Sequence, residues 1–84
     1  MRLDKFLKVS RLIKRRTVAN EACDGERVSV NGRTAKASYE VKPGDVIEIR
    51  FGQRNLKVEV VGINEHAGKL DAPAMYRELA EEDG

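Results

Sequence analysis

Eighty-four residues make a single domain, because dividing so short a chain would leave neither half enough apolar surface to offset its ordering entropy. Hydrophobic residues at 40% and charged residues at 36% describe a packed globule with a heavily solvated surface and exclude a disordered chain. The net charge of +2 hides a segregation: residues 1–16 carry seven Lys and Arg against Asp4 alone, a net of +6, while the other 68 residues carry nine against thirteen, a net of −4.

Leu3, Phe6 and Leu7 fall at i, i+3 and i+4 and predict a short first helix, with Arg2, Lys5 and Lys8 facing away from the apolar stripe. After Ser10 and a basic connector, Thr17 is expected to cap a second helix whose apolar positions are Val18, Ala19, Ala22 and Cys23, and Gly25 to stop it. Val28 and Val30 alternate with polar neighbours ahead of Asn31-Gly32, the pair best suited to a type I′ hairpin turn. Lys42-Pro43-Gly44-Asp45 predicts a second turn. Two further antiparallel strands follow, with Ile47, Ile49 and Phe51 in one, Leu56, Val58 and Val60 in the other, and Gly52-Gln53-Arg54-Asn55 between them. Past Gly62 the pattern weakens until Pro73, at an N1 position, opens a stretch with Met75, Tyr76 and Leu79 at helical spacing, either a short docked helix or a frayed tail. The fold class is α+β: two N-terminal helices on a small twisted antiparallel sheet, with a short C-terminal helix as the remaining option.

Composition also narrows the chemistry. Cys23 is the single cysteine, so no intrachain disulfide forms, and no Cys or His cluster supplies a zinc site. As a helical apolar position Cys23 reads as core filling. His66 has no acid, nucleophile or metal ligand nearby in sequence. Paired carboxylates, a nucleophile with its base and a phosphate loop are all missing, so no enzyme and no cofactor is expected. No apolar run reaches the roughly 20 residues that cross a bilayer, and a cytoplasmic protein without a membrane partner is expected. Two Phe, two Tyr and no Trp give little material for stacking single-stranded bases one after another.

The basic run is the strongest chemical signal. Arg side chains offer planar donor forks to phosphate oxygens, and helix N-termini add backbone donors. Folded RNA is the natural counter-charge for Arg2, Lys5, Lys8, Arg11, Lys14, Arg15 and Arg16. The bland alternative is a set of solvated charges beside a small core. A membrane-surface helix is opposed by Asp4 and by the narrow apolar stripe. Lys36, beyond the Asn31-Gly32 turn, and Arg54 are candidates for extending the basic surface onto the sheet, each equally readable as solubility charge. The acidic tail, with Asp71, Glu78, Glu81, Glu82 and Asp83, is a solvated face or a deterrent to nonspecific RNA binding.

Taken in order, Arg2-Leu-Asp-Lys-Phe-Leu7, Ser10-Arg-Leu12, Arg15-Arg-Thr17, Gly25, Val28-Ser-Val-Asn-Gly32 and Lys42-Pro-Gly-Asp-Val-Ile47 resemble the RNA-binding domain named for small-subunit ribosomal protein four. The resemblance covers roughly residues 1–60. It implies the alpha-L arrangement of two helices and a small sheet, and binding of structured RNA without catalysis. Residues 1–62 are then the RNA-binding domain and 63–84 an acidic C-terminal tail. Among stand-alone bacterial members the chain is similar to the heat-shock protein fifteen type and to the ribosome-associated quality-control type. Its short acidic tail departs from the long basic extension of the former, and its opening Met1 to Thr17 is close to the latter. That likeness implies a monomer on an obstructed large ribosomal subunit. There it would touch large-subunit ribosomal RNA and peptidyl-tRNA and stabilise the P-site tRNA while a tail-synthesising quality-control protein directs alanine tailing. It also implies RNA contacts at Arg2, Arg11, Lys14, Arg15 and Arg16, with Arg16 and Arg2 foremost. A recycling role of the heat-shock type and a protein-interaction adaptor are the alternatives.

Overall fold

In the computed structural model, which describes residues 1–64, 68 and 71–79, two helices lead into a five-stranded antiparallel sheet. Helix α1 spans Leu3–Val9 and α2 Arg16–Asp24; the strands are β1 (Val28–Val30), β2 (Arg33–Thr34), β3 (Val46–Phe51), β4 (Arg54–Val60) and β5 (Tyr76–Leu79). Their order across the sheet is β2-β1-β3-β4-β5, so chain neighbours sit beside one another except where β3 pairs with β1 in place of β2. This is the α+β architecture that the residue pattern predicts.

Strand alternation decides what is buried. Val28, Val30, Ile47, Ile49, Val58 and Val60 are all buried, and the registers Val28↔Ile49, Val30↔Ile47, Ile47↔Val58 and Ile49↔Leu56 place them on one face. Leu3, Phe6 and Leu7 from α1 and Ala19 and Cys23 from α2 join the same core. Fully burying side chains of this size is worth roughly 1.5–3 kcal/mol each, which is how so short a chain orders a sheet at all. Burial pushes the Cys23 thiol up to about 11, with help from the nearby carboxylates of Asp4 and Asp24. The residue fills the core as its helical position predicts.

Both turns follow their sequences. Asn31 and Gly32 have φ of 54° and 84°, the positive pair of a type I′ turn. At the second turn the Asp45 N–H donates to the Lys42 carbonyl at 3.1 Å, with Gly44 at φ 95°, a type II geometry. Asp45 then joins the two turns, accepting hydrogen bonds from Asn31 Nδ2 (3.1 Å), the Tyr39 hydroxyl (2.9 Å) and the Lys42 N–H (3.0 Å).

Four details differ from the sequence expectations. Thr17 lies inside α2; Arg15, in extended conformation, is the N-cap and makes no side-chain capping bond, because residue 15 is where the chain leaves extended geometry. Val18, expected on the apolar face, is 46% exposed. The β3–β4 connection is the tight Gly52-Gln53 pair, and Arg54 and Asn55 already pair with Phe51 and Arg50. The C-terminal stretch, read as a short docked helix or a frayed tail, is a single 3-10 turn, Ala72–Met75, after which Tyr76–Leu79 extends as β5 along β4. Ladder bonds to β4 and burial of Met75 at 3% exposure outweigh a helix of so few residues, whose nucleation is unfavourable. His66, Glu81, Glu82 and Asp83 lie outside the described residues.

Candidate nucleic-acid interface

The start of the chain is held against the segment before β3. The N–H groups of Leu3 and Asp4, the open end of α1, donate to the carbonyls of Tyr39 (2.8 Å) and Ala37 (3.2 Å), and Val41 N–H donates to Met1 O (2.8 Å). The terminal ammonium of Met1 donates to Glu40 Oε1 at 2.8 Å. Backbone donors that usually need a capping side chain are satisfied by a neighbouring strand-like segment. The position of Arg2, N-cap of α1, is therefore fixed by long-range contacts.

Asp4 organises what emerges. It is 2% exposed, yet four donors converge on it: Lys5 N–H (2.8 Å), Arg2 Nε (3.2 Å), Asn20 Nδ2 (3.3 Å) and Arg16 Nε (3.5 Å). Burial alone would raise its pKa. The hydrogen bonds from Asn20, Arg2 and Lys5 and the charge of Arg16 together outweigh burial and hold the carboxyl below its ordinary value. The side chains of Arg2 and Arg16 remain about half exposed, at 50% and 51%. Each guanidinium is anchored through Nε, which leaves its outer fork free to meet an anion.

The structure brings only some of the predicted residues to this node. Arg2 and Arg16 meet on Asp4. Arg2 and Lys36 line one groove between α2 and residues 34–38, with Asn20 at its wall, and Asp24 and Glu26 line it as well. Lys5, half-buried on α1, meets the node through its backbone N–H, which donates to Asp4 Oδ1. Lys8 is exposed in the last turn of α1, and Lys14 and Arg15 are exposed in the connector. Arg11 is also exposed and closes α1 with φ of 65°; its N–H donates to the Lys8 carbonyl while Ile13 N–H reaches Leu7 O, a left-handed C-terminal closure more often made by glycine. None of Lys8, Arg11, Lys14 and Arg15 bonds to Asp4 or lines the groove of Arg2 and Lys36. They continue the basic surface along the connector into the α2 N-terminus.

Sequence reasoning missed Asp4 and Asn20. Asp4 stood out only as the single acid in a basic run, and its partners are 12 and 16 residues away, beyond any local periodicity. The signal available was that one carboxylate beside so many cations is more economical as an organiser than as an offset.

Two helices on a small antiparallel sheet, with a basic helical edge, define a recognisable class of small module. Residues 1–47 match the S4 domain model, and the chain belongs to the S4-domain family. Among curated proteins it is 56% identical over 82 residues, 98% of this chain and 95% of the relative, to the RQC P-site tRNA stabilizing factor of Bacillus subtilis. It is 52% identical over 81 residues, 96% and 92%, to the protein of the same name from Streptococcus pneumoniae. The Heat shock protein 15 homolog of Haemophilus influenzae is 28% identical over 79 residues, 93% of this chain and 60% of that one. Among solved structures, trimeric Heat Shock Protein 15 of Vibrio cholerae superposes with a TM-score of 0.86 at 34% identity, covering 95% of this chain and 82% of that one.

Proposed function

We propose that this protein binds structured RNA of the large ribosomal subunit and peptidyl-tRNA, and stabilises P-site tRNA during ribosome-associated quality control while a tail-synthesising partner adds alanine. The observation that carries the reading is the pair Arg2 and Arg16, both anchored on buried Asp4 with half-exposed guanidinium groups, in a chain 56% identical to a factor of that name. Lys5, Lys8, Arg11, Lys14, Arg15 and Lys36 extend the contact to neighbouring phosphates. Residues 1–62 are the RNA-binding domain, to which the segment 63–84 adds an acidic flank. The role is positioning, without catalysis or cofactor, by a cytoplasmic monomer.

A recycling role of the heat-shock type is the second reading, favoured by the TM-score of 0.86 to Heat Shock Protein 15. Full-length identity is higher to the quality-control factors, and the first reading is preferred for that reason. Sedimentation of tagged protein from bacterial lysate separates them. Migration with large subunits that is lost in Arg16→Ala and depends on the tail-synthesising partner supports the quality-control role. Migration independent of that partner supports recycling, and wild-type protein staying at the top of the gradient at mild salt contradicts both.

A further inference from the structure

Beside the groove of Arg2 and Lys36 lies a second cleft, of about 480 Å³, lined by residues of the β1–β2 hairpin and of the segment after it, among them Asn31, Arg33, Lys36, Ser38 and Tyr39. Its size falls within the roughly 300–1,000 Å³ of small-ligand sites. Three features set it apart. Among the described residues no carboxylate lines it, whereas the neighbouring groove includes Asp24 and Glu26. The side chains of Arg33 and Lys36 are exposed and make no hydrogen bond or ion pair among the described residues. Tyr39, its aromatic residue, is half-buried with its side chain packed against the core, and its hydroxyl donates to Asp45 Oδ2 at 2.9 Å, so the ring is held by packing as well as by that bond.

We propose that this cleft takes one unstacked nucleobase of the bound RNA, seated against Tyr39, with Arg33 and Lys36 holding the phosphates on either side. The inference rests on the RNA-binding reading above and deepens it: the basic helical edge grips the backbone, and the cleft receives a base. Lys36, Thr34 and Ser38 line both the cleft and the groove of Arg2, so one strand of RNA can pass from the phosphate grip to the base site without leaving the surface. A single ring flanked by cations is also what a chain with two Tyr and two Phe can supply, in place of the multi-aromatic platform for which its composition gives little material.

Phosphate gripping and base seating leave different marks on RNA binding. A phosphate contact releases counterions and contributes about 0.7 to 0.9 to the log–log salt slope, whereas stacking contributes affinity with no salt dependence. Binding of purified large-subunit ribosomal RNA is therefore measured across salt for the wild type, Tyr39→Leu, Tyr39→Phe and Arg33→Ala. Tyr39→Leu is expected to weaken binding by roughly 5- to 150-fold, the range of one base–aromatic stack, with the slope unchanged. Tyr39→Phe keeps the ring and is expected to stay near the wild type, which separates loss of stacking from loss of the Asp45 bond. Arg33→Ala lowers the slope. A parallel titration of the labelled full chain with uridine monophosphate is expected to shift the backbone amides of residues 33–39 saturably, and inorganic phosphate is not. Unchanged affinity in Tyr39→Leu, equal losses in Tyr39→Leu and Tyr39→Phe, or identical shifts from phosphate alone would overturn the base site while leaving the phosphate grip intact. Failure of the wild type to bind the RNA at all would instead sink the RNA-binding reading beneath it.

Discussion

Two aspartates in this small fold do opposite things with the same chemistry. Asp4 and Asp45 each gather several hydrogen bonds, and in each the pull of those donors exceeds the effect of burial, leaving both carboxyls below the ordinary range. At Asp45 the side-chain donors are neutral, Asn31 and Tyr39, and with the Lys42 N–H they join the hairpin turn to the turn before β3. At Asp4 two of the donors are guanidinium groups, bound through Nε, whose side chains are about half exposed. A carboxylate that collects neutral donors stitches the chain to itself. One that holds two cations by their inner nitrogens leaves their outer nitrogens available to an anion.

The largest effect expected from that contrast is on Asp4. Asp4→Ala leaves Arg2, Arg16 and Asn20 without their shared acceptor and should lower stability by about 1–3 kcal/mol, the cost of stranding buried or charge-assisted partners, and weaken RNA binding as well. The urea midpoint and an RNA titration read the two losses separately. Asp45→Ala should cost about 1–2 kcal/mol in the same melt while leaving the salt slope of RNA binding at the wild-type value; a slope reduced as much as by Arg16→Ala would erase the distinction between the two nodes.

Acid sharpens the comparison. Because both folded-state pKa values are depressed, the unfolded chain binds more protons near pH 4 than the folded one. The stabilisation by Asp4 and Asp45 is complete above the unfolded value of about 4 and is lost as pH falls through the lower folded values. The urea midpoint of the wild type should therefore drop below pH 4, and the double variant Asp4→Asn/Asp45→Asn should show a flatter decline. An equally steep decline in that variant would place the acid sensitivity elsewhere.

The smallest effects test the helix ends. Arg11→Gly should raise stability by about 0.5–1 kcal/mol, since glycine adopts φ of 65° without the steric cost that arginine bears there, while removing one exposed cation from the connector. Thr17→Ala, inside α2 and away from the cap, should leave the midpoint within about 0.5 kcal/mol. A loss of 1 kcal/mol or more would restore Thr17 as the capping residue.

Much of the fold was legible because its signals are local. Leu3, Phe6 and Leu7 at helical spacing, Asn31-Gly32, and Lys42-Pro43-Gly44-Asp45 each specify backbone geometry within a few residues, and each element formed where its signal lies. The misreadings share the opposite property. Met75, Tyr76 and Leu79 fit a helix by spacing, but four residues cannot distinguish a helix from a strand, and β4 as a neighbour decides for the strand. The cation run was visible as charge. Which of its members are held in place was not, because Arg2, Arg16 and Asn20 converge only when α1 and α2 pack and bring Asp4 between them.

The most direct test of the central claim is the salt dependence of binding to large-subunit ribosomal RNA for the wild type beside Arg16→Ala. An RNA grip built on the Asp4 node predicts weaker binding in the variant and a log–log slope shallower by about 0.7 to 0.9. An affinity and slope identical to the wild type would contradict it and reduce the basic helical edge to solvated charge.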